Sequence, residues 1–381
     1  VSATYAHLTG SQRDLLARSE ILARDVLAPI AHTGVPGTVN RALVAALSTQ
    51  GLVPEVLEAG HEVPALTLCL IREGLARYST EAETAFALQG LGAHPILSAG
   101  RAEIVETWIP RISSGEAVAA FALTEPDAGS DVAALALAAE ADGRGFRLTG
   151  EKIFISNAPD ADIYTVFART SASAGARGIT AFAVPRESAG LSGEAIPFIA
   201  DHAIGRLRFD AVSVPAGSVL GEVDHGFGVA MRTLDLFRPS VGACAVGMAQ
   251  AALDAAVTHA AERQAFGRPL SSLQGVSHQL ADVATRVQAS RLLVHSAAAA
   301  HDAGIRPNTE AAAMAKLFAT ETAMLAIDVA IQVHGARALE RGHLLEHLYR
   351  EVRGTRIYEG ASEVQREIIA RQLFRRAGHG S

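Results

Sequence analysis

The string RIYEGASEVQRE, residues 356–367, could deliver a carboxylate to a reacting proton through Glu359. Gly360 follows it, and Ser362 and Gln365 stand at capping-box spacing. The pattern predicts Glu359 in a loop, Ser362 as the N-cap and a helix beginning at Glu363. Val364, Ile368 and Leu373 give that helix a buried side. Apolar surroundings would raise the Glu359 pKa toward that of a carbon-bound proton, while the positive end of the following helix pulls it down. Composition alone favours an ordinary solvated acid near a helix N-terminus.

FALTEPDAGSD, residues 121–131, ends a predicted strand in a turn. Pro126, Ala128 and Gly129 leave the backbone approachable by a flat ring or a phosphate, and Thr124 and Ser130 add hydroxyls. A plain strand-ending turn has the same composition. HLLEH, residues 343–347, has the spacing of one class of zinc peptidase, but no third ligand is indicated. Cys69 and Cys244 lie too far apart for a metal-binding or redox motif. The chain has no glycine-rich dinucleotide fingerprint and no phosphate-loop Gly-Lys-Ser/Thr, which argues against a dinucleotide-binding α/β domain or a nucleotide hydrolase.

The elements that must position these strings fall into three stretches. Residues 11–31, 38–59, 62–79 and 81–112 carry apolar residues at helical spacing. From Gly115 the texture becomes short and partly alternating: AVAAFALT (117–124), GFRLTG (145–150), EKIFIS (151–156), DIYTVFAR (162–169), GITAFAVP (178–185) and RLRFDAVSV (206–214). Six such segments predict a small antiparallel barrel or sandwich. Helical period returns after Gly226, in Ala-rich segments at 239–264, 272–303 and 308–336 and shorter ones at 343–352 and 363–375, enough for an antiparallel bundle. The expected fold is therefore α+β and multidomain, with an N-terminal helical domain at 1–114, a middle β domain at 115–224 and a C-terminal four-helix-type bundle at 225–381.

With 33 basic and 40 acidic residues among 381, the net charge of -7 gives no pull toward nucleic acid or anionic membrane. A small-molecule substrate fits better. Arg13, Asp14, Arg18 and Glu20 stand where a secretory apolar core would be, and two cysteines suit a reducing cytoplasm. Residues 241–257, the most apolar stretch, contain Gln250 and Asp254 and read as a buried helix short of membrane-span quality.

In order along the chain, FALTEPDAGSD (121–131), EKIFISN (151–157), the helix-and-turn string 238–274, IQVHGARAL (331–339) and RIYEGASEVQRE (356–367) resemble the acyl-CoA dehydrogenases. The resemblance covers nearly all of the chain. It implies FAD-dependent α,β-dehydrogenation of an acyl thioester, with Glu359 taking the α-proton and the flavin accepting the β-hydride. It further implies that the thioester oxygen is held by the Glu359 backbone N–H and a flavin ribityl hydroxyl.

The resemblance places flavin contacts at Phe121, Leu123, Thr124, Gly129, Ser130, Phe154 and Ser156, and at Arg263, Phe266, Gln274, Gln332, Gly335, Ala361 and Glu363. It places substrate contacts at Ser130, Asp235, Phe237, Arg238 and Gly360. Some relatives carry the base just before the helix arginine. Phe237 stands there, so Glu359 has no rival. Arg263 and the Gln332 segment reach a neighbouring subunit's flavin in the family, implying a homodimer or homotetramer, and the usual electron acceptor is an electron-transferring flavoprotein.

Three departures bear on this reading. Ala361 replaces a hydroxyl-bearing residue, HGARAL (334–339) replaces a more glycine-rich segment, and DHAIGRLRF (201–209) stands where coenzyme A users have a Gly-Ser-x-Thr loop. The last keeps an acyl-carrier-protein-linked dehydrogenase of specialised metabolism, acting on a short functionalised acyl group, as an alternative. A flavin oxidase or monooxygenase on the same fold, and a helical scaffold protein, are the others.

Overall fold

Alanine and glycine set how closely the helices of this chain can pack. The computed structural model describes residues 3–172 and 175–378. Its helices are α1 (Gly10–Leu22), α2 (Ala28–Ala31), α3 (Arg41–Thr49), α4 (Ala65–Tyr78), α5 (Thr80–Ala99) and α6 (Ala102–Ser113) before the strands. The strands are β1 (Ala119–Ala122), β2 (Ala138–Ala141), β3 (Gly145–Ser156), β4 (Ile163–Arg169), β5 (Ile179–Pro185), β6 (Leu191–Ala195), β7 (Ile204–Pro215) and β8 (Val219–Leu220). Then follow α7 (Gly226–Glu262), the β9 (Gln264–Ala265) and β10 (Arg268–Pro269) hairpin, α8 (Gln274–Asp302), α9 (Thr309–His334), α10 (Leu344–Thr355) and α11 (Ser362–Arg376).

By contacts the chain forms two units, each built from separated segments. The β-containing unit comprises Val26–Pro64 and Thr84–Leu234. Its eight strands form one sheet in the order β6-β7-β3-β2-β4-β5-β8, with β1 paired to β4. Most pairings are antiparallel, as the alternating segments predict, but β1–β4 and the single β2–β4 contact are parallel. The two segments 145–150 and 151–156 are one strand, with register shifts against β7 near Gly150 and between Lys152 and Ile155. Leu148, Ile155, Tyr164, Val166, Phe182, Leu207, Phe209 and Val212 share its core. Gln89 on α5 ties the helix to β1, donating to the Ala117 carbonyl at 2.9 Å and accepting from Ala119 N–H.

The helical unit comprises residues up to Asp25, Ala65–Glu83 and Asp235 onward. In it α8, α10 and α11 pack on α9, and α1 and α8 pack on α4. Small residues decide the spacing. Gly247 on α7 faces α4 so closely that a Cβ would lie 2.4 Å from the Glu73 carbonyl oxygen. By length and composition alone α7 would pass as a membrane span, a quality that the sequence reading of 241–257 put out of reach, but a buried core helix passes the same test. Most of its apolar window is instead buried inside the fold.

Candidate active site

The 121–131 string leaves β1 into a turn in which Glu125 and Ala128 exchange backbone hydrogen bonds. Glu125 and Lys152, neither predicted as functional, fix that turn from beneath. Lys152 Nζ donates to the Leu123 carbonyl at 2.9 Å and to Glu125 Oε1 at 2.7 Å. The Glu125 carboxylate also accepts from Ala136 and Leu137 N–H. Burial lowers the Lys152 pKa to about 8, opposed by Glu125. Both members of the pair are also hydrogen-bonded to backbone, which helps make a buried ion pair rigid rather than costly.

Above this support the predicted residues form an accessible face of the β-containing unit. Gly129 and Ser130 are exposed, with open space where a Cβ on Gly129 would stand, and Thr124 is half-buried. Phe154, at φ 57°, holds its ring 52 % exposed and edge-on to exposed Phe198, with Ser156 two residues on. A left-handed phenylalanine in a strand is strained, and such strain persists only where the surroundings enforce it. Leu123 is buried, and Phe121 packs its ring on Phe167 at 4.9 Å.

Glu359 belongs to the helical unit, in the turn between α10 and α11. Its φ is 52° and that of Gly360 is 93°, so the chain passes through two successive left-handed residues. Gln365 stabilises the turn: its Nε2 donates to the Gly360 carbonyl at 2.9 Å and the Glu359 carbonyl at 3.3 Å. Lys316 on α9 donates to the same Gly360 carbonyl at 2.7 Å. The expected capping box does not form. Helix α11 begins at Ser362, one residue early, with Ala361 as N-cap. Ser362 Oγ donates to Glu321 at 2.6 Å, and Gln365 is drawn back to the turn because two carbonyls there need donors.

Although Glu359 as a residue is half-buried, its Oε2 is buried and has no hydrogen-bond partner in the protein. Burial raises the carboxyl pKa above its usual range, against the opposing charges of Arg72, Lys316 and Arg238. Desolvation therefore outweighs those three cations. Arg72 is itself buried, paired with Glu83 and donating to Ser240 Oγ at 2.6 Å. Arg238 is paired with Asp235, whose other oxygen accepts from Thr309 Oγ1 at 2.8 Å, and its Nε lacks a partner. Phe237 is wholly buried, so its bulk fills the interior of the unit.

Other predicted cofactor residues lie on the surface of the helical unit. Arg263 follows α7, Phe266 caps the β9–β10 hairpin at φ 53° with 92 % of its surface exposed, and Gln274 opens α8. Gln332 ends on an exposed part of α9, and Gly335 leaves that helix at φ 68°. Glu363 is exposed beside Arg366. In the HLLEH string His343 Nδ1 accepts from Leu345 N–H, Glu346 pairs with Arg350, and His347 bonds Thr80 Oγ1 at 2.7 Å. Among the described residues no group of three or more His, Cys, Asp or Glu is arranged to hold a metal ion.

Family comparison accounts for the chain almost from end to end. Models of the acyl-CoA dehydrogenase N-terminal, middle and C-terminal domains match residues 9–116, 120–212 and 224–374. The chain belongs to the acyl-CoA dehydrogenase family. It is 36 % identical to cyclohexane-1-carbonyl-CoA dehydrogenase of Geobacter metallireducens, over 93 % of this chain and 95 % of that one. Butyryl-CoA dehydrogenase of Megasphaera elsdenii superposes with a TM-score of 0.90 at 34 % identity, covering 96 % and 99 % of the two chains. The FAD complex of PigA superposes at 0.91, with 28 % identity over 97 % and 99 %.

The expected α+β architecture and the expected class, a flavin-dependent acyl-CoA dehydrogenase oxidoreductase, stand with the family. The residues of this acyl-CoA dehydrogenase also fit the family's cofactor. An exposed ring on a left-handed residue, three hydroxyls and an open glycine turn offer a flat face and donors of the kind a flavin requires.

Proposed function

We propose that this chain oxidises an acyl thioester between its α and β carbons, with Glu359 as the base and FAD as the cofactor. The carrying observation is the Glu359 carboxylate, buried with a partnerless Oε2 and with a pKa raised by burial. Such an oxygen is available to a proton from outside the protein's own hydrogen-bond network. The α C–H bond gives its proton to Glu359 and leaves its electron pair to form the double bond. When bound, FAD supplies the acceptor for the β-hydride.

Phe121, Leu123, Thr124, Gly129, Ser130, Phe154 and Ser156 would hold the cofactor from the β-containing unit. Gly360, Ala361 and Glu363 would hold it beside the base. Arg263, Phe266, Gln274, Gln332 and Gly335 would reach a neighbouring subunit's cofactor, which makes the enzyme a homodimer or homotetramer, and the exposure of Phe266 supports that role. An electron-transferring flavoprotein is the proposed acceptor. The test is anaerobic bleaching of bound flavin by a panel of coenzyme A thioesters. The unmodified protein bleaches and Glu359→Gln, with FAD retained, does not; bleaching of that variant at the unmodified rate would exclude Glu359 as the base.

A carrier-protein thioester is the second reading. In the segment 201–209, Arg206 and Arg208 on β7 pair with Glu151 and Glu194, so the residues present are charged and mutually engaged where hydroxyls serve coenzyme A users. One short acyl group compared on both carriers decides it, through the rate of flavin reduction over apparent affinity.

A further inference from the structure

We propose that Lys316 is a positioning residue for proton abstraction: its ammonium clamps the Gly360 carbonyl, and its charge sets the protonation state of Glu359. The proposal rests on Glu359 being the base. Three observations support it. Lys316 is fully buried on α9, and its contact with the Gly360 carbonyl is 2.7 Å. That carbonyl belongs to a turn of two left-handed residues, a conformation that an L-residue such as Glu359 adopts only under strain and keeps only where the turn is held. Finally, the Gly360 carbonyl that Lys316 holds adjoins Glu359 in the chain, and the Glu359 carboxylate has an orphan oxygen.

A lysine taken out of water needs a reason to be there. Burial lowers its pKa to about 8, with the Glu359 charge the largest influence opposing that fall and Arg238 adding to it. Glu321 on the same helix and Glu363 on α11 also favour its charged form. Around Glu359 itself the other charges are Arg72 on α4, Glu83 on α5 and Arg238 on α7. Arg72 is paired with Glu83 and Arg238 with Asp235, so each of those cations has a carboxylate of its own. The Lys316 ammonium donates to a neutral carbonyl, that of Gly360. Its charge therefore acts beside that of Arg72, the larger of the opposing influences on Glu359, and reaches the acid from the turn that carries it.

Two functions are separable by substitution. Lys316→Gln keeps a donor for Gly360 and removes the charge, Lys316→Met removes both, and Lys316→Arg keeps the charge. The measurement is the pH dependence of anaerobic flavin reduction at saturating thioester, in holoenzyme whose FAD content and melting temperature are matched. The sign follows from linkage: a cation favours the carboxylate, so losing it raises the Glu359 pKa and moves the acid limb to higher pH. We expect Lys316→Gln to move that limb up by about one pH unit, about tenfold in rate at a pH below both limbs, with the plateau nearly kept. Lys316→Met should move the limb equally and also lower the plateau, and Lys316→Arg should restore the limb.

An acid limb unmoved in both Lys316→Gln and Lys316→Met overturns the charge role, and a plateau unchanged in Lys316→Met overturns the clamp. Should Lys316→Met fail to accumulate as holoenzyme, Lys316→Gln and Lys316→Arg still decide the charge role. Glu359→Gln separates this proposal from the one beneath it. If that variant reduces flavin at the unmodified rate, the base assignment falls; if it is inactive while the lysine variants behave as the unmodified enzyme, only the Lys316 role falls.

Discussion

Glu73 and Glu359 are both buried carboxylates of the helical unit, both ringed by cations, and their pKa values move in opposite directions. Glu73 accepts from Arg291 Nε at 2.7 Å and Tyr5 Oη at 3.2 Å on one oxygen, and its other oxygen bonds His295 at 2.9 Å. Burial alone would raise its pKa, but Arg291 and His295 hold it down at about 2. Glu359 meets three cations at a distance and no donor on Oε2, and its pKa is raised. A carboxylate whose two oxygens are both met by the protein stabilises the fold, whereas one left with an unmet oxygen can take a proton from a guest.

The sharpest way to break this comparison is to neutralise each acid in turn. Glu359→Gln should lower flavin reduction about a hundredfold to ten-thousandfold. Its chemical stability curve should move by less than about 1 kcal/mol, because the wild-type carboxylate is already penalised by burial. Stopped-flow reduction and urea unfolding read the two halves.

Glu73→Gln should do the reverse, costing about 3–5 kcal/mol of stability by stranding Arg291 and His295, while flavin reduction per folded molecule stays near that of the unmodified enzyme. Its pH signature also differs. The folded pKa of about 2 lies below the ordinary glutamate value of 4.5, so Glu73 contributes stability above pH 4.5 that is lost as pH falls toward 2. Acid unfolding of the variant should lack that segment of the curve.

Gly360→Ala tests whether the turn, and not only the acid, is needed. At φ 93° a Cβ would stand 2.4 Å from Gln365 Nε2, so the turn must give by about 1–3 kcal/mol and the reduction rate should fall about tenfold or more with Glu359 intact. The smallest effect expected is for Ser362→Ala. Losing one hydrogen bond to Glu321 should cost about 1–2 kcal/mol in thermal unfolding and leave the acid limb of the rate profile in place.

What sequence made legible was local. Glu359, the 121–131 turn and the EKIFISN strand stand out because they lie in strings that resemble those of a family, and the long Ala-rich helices because their period repeats many times. Residues that act across the fold left no such mark. Lys316 sits in AAAMAKLFA, a plain helical run, and Arg72 in LCLIREGL, and neither pattern says that it faces a carboxylate. Glu125 and Lys152 read as ordinary strand-end charges until their contact at 2.7 Å is seen. Gln365 had the right spacing for a cap, and only the two unpaired carbonyls of the turn explain why its side chain went elsewhere. Strand β6, LSGEA, lacks an apolar alternation because almost all of it is exposed, and Gly150 at φ 142° made one bent strand look like two.

Gly247 extends these considerations to variation at a distance. Any side chain there must push α7 and α4 apart, since even a methyl carbon has no room beside the Glu73 carbonyl. Arg72 and Glu73 are consecutive on α4, so a single displacement would disturb the electrostatics of the reactive acid and the anchor of the structural one together. A change at this glycine would look harmless to any inventory of reactive groups and would still silence the enzyme, which places part of the chain's genetic fragility at a residue with no side chain at all.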